Sequence, residues 1–504
     1  MENLRASTYV LPEPSRTMPA RALWAEMAHD LASEFPDQYE FAAVWGYRIC
    51  LKAEVSRSTD RLLVRYRTVE AAIRRRSGRP TLLDLSVGNM FATTSASPPE
   101  PLHVVNDPRY AHWARQAGQV SLADHSRLIR QLTTDLMDAG WRLESATLRP
   151  FKILPPTVRN GRGVRPFPPE KFYHLAQYPA EVMEPGTDFA VVWADGTQAQ
   201  RAVDQLSASL AQLLRVRGSQ LPIVRKLRRM SPESVNLMLL NDQDDLTNML
   251  GLRDELREAE AAGMRFKLAK LGSLSKPYPA QNIAYDMFQI AGGRPWVPAE
   301  PQSAFCSMDA GHDKLGNRSR WVKVETDRQQ TIRNVRVSDT GLAEHLPAHL
   351  IDEMWPSDAT SIACRDGRLA QEKSVMEARA AAESRPLIEA KKSPKAILWR
   401  ASENGERPAQ FGDAVMDEHD EVLLQTVPQD AHDYIRPLRL TLQGDDPIRL
   451  ATAFLHQHAM PGLSIFRLSR LPGALYFADL VSKLTEGGWP KAAGRGFNIP
   501  QVIP

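Results

Sequence analysis

Residues Phe305–Asp313 read FCSMDAGHD, an apolar strand leading into an aspartate. Downstream, Ser361–Cys364 (SIAC) is a second apolar strand, leading into Asp366. Between them, Trp321–Glu325 and Ile332–Val337 alternate in character and predict a strand pair, followed by a helix near Leu342–Met354. Leu369–Glu383, rich in Ala and Glu, predicts a helix, and Ala396–Arg400 a further strand. Three strands, helix, strand, helix, strand is the resulting order.

That is the element order of the RNase H fold, in which the first and fourth strands are neighbours. Asp309 and Asp366 are therefore expected side by side, as catalytic and metal-binding carboxylates. Two-metal phosphodiester cleavage needs such clustering, because closely spaced ions must be bridged and neutralised. Mg²⁺ or Mn²⁺ is the expected cofactor, with phosphate oxygens and waters completing the shell. A third acid from the intervening segment is expected to be Glu344, with Glu353 behind it. Gly311, in Asp309-Ala310-Gly311-His312-Asp313, offers a place where a phosphate approaches the backbone closely. Actin-like ATPases use a similar turn, but they also need a second phosphate-binding turn, which this sequence does not show. His312 reads as a loop histidine.

Upstream, strands and helices alternate from about 165 to 275. Asp188–Ala194 (DFAVVWA), Val235–Leu240 (VNLMLL) and Met264–Ala269 predict buried parallel strands. Ala202, Leu206, Leu210, Leu213 and Leu214 recur at helical spacing, and Leu250–Ala262 predicts a helix with Gly263 at its C-cap. Such open α/β domains bind ligands beyond their strand C-termini. The chain thus divides into an N-terminal α+β region over 1–164, a Rossmann-like domain over 165–275 and an RNase H-like domain over 276–504. The first region predicts helices over Ala20–Glu34 and Leu122–Ala139, the latter capped by Ser121, and strands over Phe41–Glu54 and Arg61–Arg67. It shows no recognisable chemistry.

The 504 residues carry a net charge of only +3, so composition alone does not announce a nucleic-acid binder. Its distribution is segregated: basic blocks at Arg74–Arg79, Arg159–Arg165 and Arg225–Arg229, acidic blocks at Asp242–Asp245 and Asp417–Glu421. Blocks of each sign fit a one-sided phosphate channel. The three cysteines form no CxxC pair, which excludes a zinc ribbon and favours a reducing compartment. No signal peptide or membrane-spanning run is evident, and a cytoplasmic location is expected.

Asn282-Ile283-Ala284, Gly292-Gly293 and Pro295-Trp296, then FCSMDAGHD, then Arg365-Asp366-Gly367, resemble in this order the PIWI domain of Argonaute proteins. Arg436-Pro437-Leu438 and Leu471–Asp479 (LPGALYFAD) resemble the strand and closing helix of that domain. The resemblance implies a short prokaryotic Argonaute of the MID-PIWI type. The α/β region before 275 would be MID, which in the family holds the guide's 5′ end. It implies a guide RNA or DNA, a complementary target DNA or RNA, defence against foreign DNA, and signalling to a partner effector protein. Guide-directed cleavage by Asp309, Asp366 and a glutamate is the alternative. Two departures accompany the resemblance. The family's fourth catalytic position, placed shortly after Arg-Pro, reads here as Arg439, for which His432 or Asp433 would have to compensate. The lysine that the family's phosphate pocket draws from the helix before Gly-Gly is replaced by Asp286 or Ile290. Arg253, Lys267 and Lys270, with Arg225, Lys226, Arg228 and Arg229, are the expected guide-binding cations.

Overall fold

The computed structural model describes residues 3–12, 18–42, 48–94, 109–168, 177–181, 187–192, 196–214, 223–241, 255–256, 258–259, 262–274, 276–313, 318–338, 341–342, 348–367, 372–402, 405–427, 436–460 and 469–484. It forms two units, Met1–Ile153 with Lys391–Leu440, and Leu154–Ala390 with Thr441–Pro504.

The second unit holds both expected α/β layers. Strands β1 (Asp188–Val192), β2 (Val224–Leu227), β3 (Ser234–Leu240) and β4 (Arg265–Lys270) form a parallel sheet in the order β2-β1-β3-β4. The seven residues of β3 are all buried, as expected of a strand covered on both faces. The edge strand β2 has no apolar run, and its basic residues hid it from periodicity. Helices α1 (Gly196–Leu214) and α2 (Pro277–Ile290) pack beside this sheet. Gly292, with φ +85°, reverses the chain after α2, a conformation that an L side chain resists. Trp296 is buried beyond that turn, stacked on Tyr285 and donating its indole N–H to the Ala459 carbonyl at 2.8 Å.

The RNase H-like sheet follows: β5 (Phe305–Asp313), β6 (Arg318–Thr326), β7 (Ile332–Val337), α3 (Ala348–Met354), β8 (Ile362–Asp366), α4 (Lys373–Ala382) and β9 (Leu387–Lys391). The strands lie in the order β7-β6-β5-β8-β9, antiparallel from β7 to β5 and parallel from β5 to β9. The fifth strand is Leu387–Lys391, not Ala396–Arg400, which instead belongs to the first unit and pairs with Asn3–Ala6. Helices α3 and α4 cover one face through Ile351, Met354, Met376 and Ala380 against Cys306, Met308 and Trp321. Helix α6 (Gly473–Leu484) covers the other through Ala474, Phe477 and Ala478, packed on Val322, Val324 and Val335. Between β9 and α6 the chain forms helix α5 (Pro447–His456).

In the first unit six antiparallel strands are flanked by helices Ala20–Glu34 and Leu122–Asp138. Leu23, Met27, Leu31, Leu132 and Leu136 meet Leu83, Leu85 and Val87 in one core. The long pair Leu63–Arg74 and Thr81–Thr93 forms its spine, in register from Leu63 opposite Thr93 to Arg74 opposite Leu82. Ser121 caps the second helix by accepting from the Asp124 N–H at 3.1 Å.

Candidate metal centre

Side chains alternate across a strand. On β5, Cys306 and Met308 enter the core under α3 and α4, so Ser307, Asp309 and Gly311 face α6. Strand β8 runs parallel to β5 with Met308 opposite Arg365, and one residue further on Asp309 and Asp366 follow side by side. Arg365 lies on the opposite face, its guanidinium 4.8 Å from the Trp321 ring centroid and 2.5 Å from Glu372.

The third carboxylate comes from α6. Its sequence, GALYFADLVSKL, is apolar except for a few positions, and Asp479 and Ser482 lie three apart on one helix face. Carboxylate oxygens of Asp309, Asp366 and Asp479 all lie within 4.8 Å of one another. The buried Ser482 hydroxyl is 2.8 Å from Asp309 Oδ2 and 2.9 Å from the Asp479 carbonyl. This closeness depends on Gly311. A Cβ there would sit 2.0 Å from the Ser482 carbonyl oxygen and 2.6 Å from its carbon. The glycine therefore admits the backbone of α6, where the sequence pointed to a phosphate.

Three carboxylates this close repel one another unless a cation neutralises them. Hard oxygen donors, with no sulfur or imidazole joining them among the described residues, suit Mg²⁺ or Mn²⁺. The three aspartates fit such an ion, with α6 contributing the third carboxylate of the cluster. Glu344 lies outside the described residues. Glu353 is turned to a half-exposed ion pair with Arg336 at 2.6 Å. Asp479 belongs to the stretch LPGALYFAD, whose likeness to a closing helix drew attention to it without giving the acid a role. The available signal was Asp479 and Ser482, polar residues three apart on a largely apolar helix.

Arg439 is engaged by acids of the first unit. Its guanidinium belongs to the first unit, 2.8 Å from Asp84 and 2.9 Å from Asp417, with Arg74 completing a buried network at 2.8 Å from Asp84 and 2.7 Å from Asp417. Burial alone would push the Asp84 carboxyl up, but the Arg439 and Arg74 charges hold it below its ordinary range. His432 and Asp433 lie outside the described residues, as does Arg253.

Among the expected guide-binding cations, Lys267 is buried and holds Asp286 at 2.8 Å, tying β4 to α2. The acid at the position where the family pattern expects a lysine is thus neutralised from within. Arg225 on β2 pairs with Asp188 at 2.9 Å. Lys226, Arg228, Arg229 and Lys270 are exposed.

No family model matches the chain, and no curated protein does. Solved structures do. The chain is similar to Clostridium butyricum Argonaute bound to a guide DNA and a 19-mer target DNA, at TM-score 0.69 and 10% identity, over 93% of this chain and 86% of that one. Marinitoga piezophila Argonaute, in complex with 5′ OH guide RNA and target DNA, matches at TM-score 0.65 and 10% identity, over 92% and 85%. Drosophila Piwi matches at TM-score 0.64 and 11% identity, over 95% and 85%. The fold is Argonaute-like.

Proposed function

We propose that this Argonaute-like chain holds a guide nucleic acid, recognises a complementary target, and cuts it at the cluster of Asp309, Asp366 and Asp479. The observation that carries the reading is the convergence of three carboxylates from β5, β8 and α6 within 4.8 Å. The aspartates would hold Mg²⁺ or Mn²⁺, which supplies Lewis-acid stabilisation of phosphate charge and a polarised water. The chain's own contribution is to fix those carboxylates on rigid elements, to shield them on one side with α6, and to leave the opposite charge to the ion.

Arg439 no longer speaks against cleavage, since its charge is engaged by Asp84 and Asp417. In this reading residues 165–275 are a MID-like part that holds the guide, 276–504 a PIWI-like part, and 1–164 an additional region. A short-type Argonaute, cytoplasmic, acting in defence against foreign DNA with a partner effector, is the setting that the resemblance implies. Among the described residues no helix is long and apolar enough to cross a membrane.

The test is a cleavage assay with synthetic DNA and RNA guides, matched labelled targets, and Mn²⁺ or Mg²⁺. A single cut opposite the guide, lost in Asp309→Ala, Asp366→Ala and Asp479→Ala, is the expected result. Target bound through its guide but left intact under every metal and guide would overturn the cleavage reading and leave recognition with signalling to an effector. Nucleic acid sequenced from the purified chain identifies the guide; a preparation free of it that also binds no guide would overturn recognition itself.

A further inference from the structure

We propose that Ser482 is a positioning residue of the metal centre: its hydroxyl fixes one carboxylate oxygen of Asp309 and so presets the cluster for its ion. This rests on the metal-centre reading above and adds a residue that ligates nothing itself.

The geometry is specific. Ser482 Oγ has a single proton, with Asp309 Oδ2 at 2.8 Å and the Asp479 carbonyl at 2.9 Å within reach. The ionised carboxylate is the stronger acceptor, because charge-assisted hydrogen bonds are roughly twice as strong as neutral ones. Ser482 is 1% exposed, so water does not compete for the bond. A serine inside an otherwise apolar helix ordinarily bonds back to its own turn, at a small cost to the helix. Here the same hydroxyl is brought over β5 because α6 touches Gly311 backbone to backbone.

Asp309 and Gly311 share one face of β5, and Asp479 and Ser482 share one face of α6. The close approach at Gly311 therefore places a ligand and the neighbour of another ligand with a single docking event. A neutral donor suits the task. A lysine or arginine there would cancel the charge that the ion requires, whereas an alanine would remove this hydrogen bond to Asp309 Oδ2. Partners that orient ligating carboxylates are commonly worth about 10–100-fold in metal affinity.

The experiment uses the full chain stripped of metal, with Mn²⁺ alone as the probe, followed by the loss of the free-Mn²⁺ signal in electron paramagnetic resonance. Thermal melts in chelator report the fold separately. Ser482→Ala is expected to weaken Mn²⁺ binding about 10-fold or more, with a melting temperature in chelator close to the parent's. Ser482→Thr, which restores the hydroxyl, is expected to recover most of the affinity. Mn²⁺ affinity unchanged in Ser482→Ala would overturn the proposal while leaving the metal centre standing. So would a fall in the chelator melt with affinity retained, since that is a packing role. A parent chain whose Mn²⁺ binding is absent, or indifferent to Asp309→Ala, would overturn the metal centre and the positioning role together.

Discussion

Gly311→Ala is a small change with a large expected consequence. The added Cβ would sit 2.0 Å from the Ser482 carbonyl oxygen, whereas ordinary contacts begin near 3.4 Å. Strand and helix must separate by roughly 1.4 Å, the difference between those distances. Neither can yield locally, because the obstructing atoms are backbone and β5 is paired on both edges. Overpacking of this kind costs about 1–3 kcal/mol. The displacement also lengthens the reach of Asp479 and Ser482 to Asp309, in a cluster whose oxygens now lie within 4.8 Å. Misplacement by ~1 Å can cost about 100-fold where reacting groups must be held in position, so Mn²⁺ affinity should fall at least as far as in Ser482→Ala. Urea unfolding in chelator measures the first effect and Mn²⁺ titration the second. A Gly311→Ala chain with the parent's stability and Mn²⁺ affinity would refute the close approach of α6 and with it the account of the site.

Further outcomes are expected. Mn²⁺ at about 100 times its dissociation constant should stabilise the native chain by about 2.7 kcal/mol, seen as a raised melting temperature that Asp479→Ala removes. Arg439→Met leaves two buried acids, Asp84 and Asp417, with Arg74 still ion-paired to both. Breaking such a buried network costs about 3–5 kcal/mol, measurable by urea denaturation. His125 is buried and burial holds its pKa down to about 3. The unfolded histidine takes up a proton below about pH 6.5 while the folded one stays neutral, so stability is full above that pH and falls below it. The loss by pH 5 is about 2 kcal/mol, and it should disappear in His125→Phe. Arg228 and Arg229 replaced by Gln should weaken binding of a single-stranded guide and reduce the salt slope by about 0.7 for each phosphate no longer neutralised. An unchanged slope would remove these two from the guide path.

The RNase H-like order was legible because its strands are short, buried and end on acids, features that survive in a linear reading. Phe305–Asp313 and Ile362–Asp366 are adjacent through register, and the spacing of apolar residues before each aspartate already implied it. The fifth strand was misplaced because Leu387–Lys391 (LIEAK) carries a glutamate and a lysine that break an apolar run. The strand Thr81–Thr93 was missed for a related reason. Its serine, glycine and asparagine look like punctuation, yet Leu63–Arg74 pairs along nearly its whole length and buries most of it. Asp479 lies outside the interval between the first two acids, to which the search for a third was confined. A metal site is assembled in space, and α6 returns to β5 from far along the chain. Its likeness to a closing helix and the polar residues Asp479 and Ser482 three apart were the marks it carried.

Charge blocks proved the least transferable signal, and the reason is physical. Arg74 pairs with Asp417 at 2.7 Å and Glu421 at 2.7 Å, Arg79 pairs with Asp420 at 2.8 Å, and Arg76 donates to the His419 carbonyl. The basic block at 74–79 and the acidic block at 417–421 therefore neutralise each other inside one unit. For this pair of blocks, segregation along the sequence was the mark of two strand-end segments built to meet, whereas Arg159, Arg162 and Arg165 of another basic block are exposed. The same holds on a smaller scale for Lys267 with Asp286 and Arg225 with Asp188. A chain with a net charge of +3 that engages so many of its arginines internally cannot bind a polyanion by a general surplus of charge. Binding of a polyanion would fall to cations left facing solvent, such as Arg228 and Arg229. Such binding would have a shallower salt slope than that of a strongly basic protein, because the slope grows with each phosphate neutralised.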